Sequence, residues 1–156
     1  MCQCATFEKV VKMDYETLLR LSQLDFCEHN PADVNEPYWV KGKNPALYAF
    51  SLWLLKTTLI ETKGVNNRHS SYGMKHVIEH LCSTVNYKSD YILDDYMTNG
   101  QFKFVMLKAG FYPSNPYELN WHYKIAEGSP FFKFERGSFA EVFEKFVMIY
   151  QPDMKR

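Results

Sequence analysis

His76-Val77-Ile78-Glu79-His80 is the stretch whose residue types and spacing come nearest to chemistry. Histidines four residues apart share one face of a helix, and this order of residues matches the inverted zinc-peptidase pattern, in which the imidazoles hold Zn²⁺ and the glutamate polarises water. A catalytic zinc needs a third protein ligand, for which Glu141 and Glu144 are the candidates further along the chain. The competing reading is a solvated helix face with Lys75 and Glu79 as an i, i+4 ion pair, and on it neither metal nor other cofactor is expected. Cys2 and Cys4 have no second cysteine pair to complete a structural zinc site. Cys27 or Cys82 would act as a nucleophile only if a histidine converged on it in space. The glycines are dispersed, without the spacing that cradles a nucleotide phosphate, which disfavours NTP hydrolysis. With no complete catalytic set, the expected role is binding rather than catalysis.

Two kinds of recognition compete. A nucleic-acid contact would use Arg68, Ser71, Tyr72, Lys75 and His76: the charges meet phosphate, the amides of a serine-capped helix start bind an oxyanion, and the tyrosine stacks on a base. Asp90, Asp94 and Asp95 follow closely and oppose a polyanion. A protein contact would use accessible aromatics, the usual anchors of interfaces. Tyr38 and Trp39 in a loop, Tyr91 in a segment shared with Tyr87 and Tyr96, and the polar face Tyr72, Lys75, His76 and Glu79 are its candidate residues.

Those residues need elements to hold them. Asp14 and the spacing of Leu18, Leu21 and Leu24 predict a helix near 14–27, followed by a proline-interrupted loop over 29–44. Asn44-Pro45 predicts the start of an apolar helix around 45–62 that Gly64 stops, and this helix is the expected centre of the fold. Ser70 or Ser71 caps the next helix, with Met74, Val77, Ile78 and Leu81 as its buried stripe. Thr98 and Gln101 form a capping box for a helix that Gly110 ends, and Phe104 and Leu107 lie off its inner face, so they need a second neighbour. Alternation from Trp121 to Ile125, a Glu-Gly-Ser-Pro turn and Phe131 to Glu135 predict a β-hairpin over 121–135; Ser138 and Glu141 cap a last helix. The expected fold is therefore α+β but mainly α, one helical domain over residues 1–156 with a small hairpin.

Composition bounds the function. The chain of 156 residues is 46 % hydrophobic and 23 % charged, enough apolar material for a core and unlike a disordered chain. Eighteen basic residues balance eighteen acidic ones, so no global field attracts nucleic acid or anionic membrane. The apolar run Pro45 to Ile60 is interrupted and shorter than the roughly 20 residues of a membrane span, and the N-terminus lacks a secretory signal pattern. A cytoplasmic location with reduced thiols and no membrane partner is expected.

Arg68-His69-Ser70-Ser71-Tyr72-Gly73-Met74-Lys75-His76-Val77-Ile78-Glu79, followed by Thr98-Asn99-Gly100-Gln101-Phe102 and Ala109-Gly110-Phe111-Tyr112, resembles a family of small uncharacterised phage and mobile-element proteins. The shared pattern is Ser-Tyr-Gly-Leu-Lys-His and then Asn-Gly-x-Phe, with Met74 here at the leucine position, and it spans about a third of the chain, residues 68–123. The resemblance implies a bacterial host cell and a genome context in which small proteins block host defence nucleases, as anti-CRISPR inhibitors do, or bind mobile DNA. A host protein is the expected partner and nucleic acid the alternative.

Overall fold

The computed structural model describes residues 15–22, 45–88, 94–134 and 144. In chain order the elements are α1 (Tyr15–Ser22), α2 (Pro45–Thr58), β1 (Glu61–Asn66), α3 (Ser71–Lys88), α4 (Asn99–Ala109), β2 (Tyr123–Ile125) and a single 3₁₀ turn at Pro130–Phe132. Among the described residues helices dominate and one small antiparallel sheet accompanies them, the α+β, mainly α class that the patterning predicts. None of the described helices is long and apolar enough to cross a membrane.

Among the described residues the element at the centre is α4, not the 45–62 helix. It packs against α1, α2 and α3, and the unbroken run Phe102 to Leu107 is buried. This supplies the second neighbour that Phe104 and Leu107 require: the Phe104 ring lies 6.1 Å from Tyr48 on α2. Local chemistry fixes both ends of α4. Thr98 Oγ1 accepts from the Gln101 amide at 3.0 Å, while Gln101 Oε1 accepts from the Thr98 amide at 2.8 Å, a complete capping box. At the other end Gly110 adopts φ +92°, and its amide and that of Phe111 return to the carbonyls of Leu107 and Met106. A Cβ on Gly110 would meet nothing within 4 Å, so Gly110→Ala tests the backbone conformation alone. We expect a loss of about 1 kcal/mol, read as a lower urea midpoint at unchanged slope.

Helix α2 stops at Thr58, six residues before Gly64. There the Thr57 and Thr58 hydroxyls fold back onto the carbonyls of Trp53 and Leu54, and the chain turns extended. Gly64 instead lies within β1, in an irregular stretch between the Glu61–Ile125 and Asn66–Tyr123 pairs, where Thr62 Oγ1 donates to the Gly64 carbonyl. The sheet corrects the hairpin expected over 121–135. β2 falls in the predicted stretch, but its antiparallel partner is β1, some sixty residues earlier. The segment expected to pair with it contains the 3₁₀ turn, begun by Pro130, which has no amide to give a ladder. The predicted helix near 14–27 is present over Tyr15–Ser22. The rest of that helix, the 29–44 loop and the helix start at Ser138 and Glu141 lie outside the described residues, although Glu144 is helical.

Candidate functional site

Ser70, not Ser71, caps α3: its Oγ accepts from the Gly73 amide at 3.2 Å and its carbonyl from the Met74 amide at 2.9 Å. Met74, Ile78, Leu81, Cys82 and Val85 form the buried stripe. The expected stripe is thus continued by Cys82 and Val85, while Val77 is only partly buried.

The opposite face departs from the solvated reading. Lys75 is buried, and its Nζ lies 2.6 Å from Glu79 Oε1, the two side chains being only 6 % and 15 % exposed. The i, i+4 pair is present as predicted, but it is covered. His76 Nδ1 reaches the same Glu79 oxygen at 3.1 Å from a half-exposed position. Two tyrosines form the cover. Lys75 Nζ sits 5.1 Å from the centre of the Tyr72 ring and 5.5 Å from that of Tyr96, within the range of cation–π attraction. The Tyr72 ring also meets His76 edge to face at 4.6 Å. Both tyrosines remain exposed, 42 % and 62 % respectively. Exposed Asp94 accepts from the Tyr96 amide at 3.2 Å, which fixes the chain that delivers that ring.

Tyr72, Lys75, His76 and Glu79 are therefore brought together as predicted, with Tyr96 as the member that the sequence reading placed among accessible aromatics without pairing it to α3. The signal available for it was the alternation of tyrosine and aspartate before α4. Tyr38, Trp39 and Tyr91 lie outside the described residues.

Of the nucleic-acid set, Tyr72, Lys75 and His76 stay together, whereas Ser71 and Arg68 are engaged elsewhere. Ser71 is fully buried: its Oγ accepts from the Trp121 amide at 2.9 Å and its own amide donates to the Trp121 carbonyl at 2.7 Å. With the Gly73 and Met74 amides also engaged, three amides of the α3 start already have acceptors inside the protein. Arg68 points its charge toward Glu127, 3.9 Å away. Glu127 is a hub of its own. Asn66 Nδ2 donates to Glu127 Oε2 at 2.9 Å and His69 Nε2 lies 3.0 Å from Oε1, while the His69 ring stacks on Phe132 at 3.9 Å. The hydrogen bonds from Asn66 and His69, aided by the charges of His69 and Arg68, hold this carboxyl below its ordinary pKa. These contacts fasten the β1–α3 connection to the chain just after β2.

The zinc pattern has its two histidines one turn apart on α3, with His80 exposed, but Glu79 is engaged with Lys75 and His76. Among the described residues, no three His, Cys, Asp or Glu side chains are grouped to hold a metal. Glu144 is exposed and Glu141 lies outside the described residues. The Cys82 thiol is buried, and desolvation, reinforced by the charges of Asp95, Asp94 and Glu79, pushes its pKa up. It therefore stays a protonated, inert thiol at neutral pH. The chain matches no protein-family model, no curated protein and no solved structure.

Proposed function

We propose that this chain is a non-enzymatic binding protein that engages another protein through the outer face of α3 and the Tyr96 segment. The observation that supports this reading is the pair of exposed tyrosines held over the covered Lys75–Glu79 pair. Aromatic rings with a polar hydroxyl are preferred interface anchors, and anchors fixed before contact lose less side-chain freedom on binding. The competing nucleic-acid reading is weakened where it needs Ser71 and a free Lys75 charge, because one is buried against Trp121 and the other is balanced by Glu79. On the resemblance to phage and mobile-element proteins, the partner is a host protein in the bacterial cytoplasm, and anti-CRISPR-like inhibition of a defence nuclease is the form of engagement proposed.

A tagged pull-down from the bacterium that carries the chain, split with and without nuclease, tests this. The expected result is a protein partner that survives nuclease and is depleted about tenfold or more with Tyr72→Ala/Tyr96→Ala. Equal capture by the folded double variant would remove the site from the reading. Loss of all partners on nuclease treatment would make nucleic acid the ligand.

A further inference from the structure

We infer that the Tyr72–Tyr96 face takes an arginine side chain presented by a basic segment of the partner protein, an inference that rests on the protein-binding reading above. The charges around the two rings do not cancel. Lys75 is balanced by Glu79 at 2.6 Å, whereas Asp94 and Asp95 are exposed and have no ion-pair partner among the described residues. Asp94 accepts from the Tyr96 amide at 3.2 Å and Asp95 adjoins Tyr96 in the chain, so both carboxylates belong to the segment that delivers this ring. Among the described residues the local balance is therefore negative, on a chain whose formal charge is zero.

The rings already hold one cation. Lys75 Nζ approaches both from the protein side, at 5.1 and 5.5 Å, and the tyrosines remain exposed to solvent. A second cation arriving from solvent meets two electron-rich rings and, beside Tyr96, two carboxylates that no basic group among the described residues neutralises. Arginine suits this arrangement better than lysine, because a planar guanidinium stacks on an aromatic ring while its forked donors engage a carboxylate. A phosphate backbone would instead meet Asp94 and Asp95, and the Ser71, Gly73 and Met74 amides at the start of α3 already have acceptors.

Fluorescence anisotropy with the full chain separates the outcomes, using a labelled Gly-Arg repeat peptide, its Gly-Lys counterpart of equal charge and a single-stranded DNA oligonucleotide. The arginine peptide should bind about fivefold more tightly than the lysine peptide. Tyr72→Ala/Tyr96→Ala should weaken it about tenfold, and Asp94→Asn/Asp95→Asn about fivefold. Tyr72→Phe/Tyr96→Phe, which keeps the rings, should retain the affinity, and an unchanged circular dichroism spectrum of the alanine pair separates a lost contact from misfolding. Equal affinity for the two peptides together with no effect of the alanine pair would overturn the inference, as would tighter binding of the DNA. A partner captured from lysate through Tyr72 and Tyr96 that the arginine peptide cannot displace would sink the inference while leaving the protein-binding reading intact. Peptide recognition without any nuclease-resistant partner would have the reverse meaning.

Discussion

Trp121→Ala is expected to cost about 4 kcal/mol of folding stability, a large share of the roughly 5–15 kcal/mol available to a domain. Trp121 is fully buried. Its indole N–H donates to the Pro116 carbonyl at 3.1 Å, its ring meets Tyr123 edge to face at 6.5 Å, and the buried Lys103 places Nζ 5.2 Å from the ring centre. Alanine would leave a cavity, an unpaired carbonyl and an ammonium without its ring. Trp121→Phe keeps most of the volume but loses the indole donor, so about 2 kcal/mol is expected. Urea unfolding followed by circular dichroism measures both. A change under about 1 kcal/mol for the alanine variant would mean that the surrounding side chains collapse into the space, contrary to a close-packed site.

The second large effect lies under the tyrosines. Glu79→Gln leaves the Lys75 ammonium buried without its counter-charge, and a loss of about 3 kcal/mol is expected. Lys75→Met should cost less, about 1–2 kcal/mol, because Glu79 is the more exposed partner and keeps His76 at 3.1 Å. Lys75→Met/Glu79→Gln removes both charges and should cost only about 2 kcal/mol, less than the sum of the single losses, so the cycle yields a coupling of about 2–3 kcal/mol. Were both single variants within about 0.5 kcal/mol of the parent, the pair would be behaving as an ordinary surface bridge and the tyrosines would not be shielding it.

What could be read in advance divides by distance along the chain. The start and stop of α4 were legible because Thr98, Gln101 and Gly110 act on amides and carbonyls only a few residues away. The buried stripe of α3 was legible from its period, and so was the Lys75–Glu79 pair from its i, i+4 spacing. Its burial was not legible, because the cover includes Tyr96, seventeen positions beyond Glu79, and nothing in α3 itself announces it. Ser71 misled for a related reason. A serine at a helix start is ordinarily a cap, but here Ser70 caps and Ser71 bonds to Trp121. The strand at 123–125 shows its alternation, but its partner is not the nearest extended segment; β1, with a glycine and mostly exposed side chains, carries too little apolar pattern to show itself as a strand. The misplaced centre has the same origin. Residues 45–58 are the more apolar helix in composition, but α4 is the helix with neighbours on three sides, which only tertiary packing decides.

The two hydrogen bonds between Ser71 and Trp121 join residues fifty positions apart, and that span orders events in time. Helix turns and capping boxes form from neighbours as soon as those neighbours exist, whereas a long-range contact waits for its loop to close. During synthesis α3 and α4 therefore emerge before the residue that anchors the start of α3. The face of α3 carrying Tyr72 becomes fully seated only once the chain has passed residue 121, so a message truncated between 110 and 121 yields helices without the anchor that sets it.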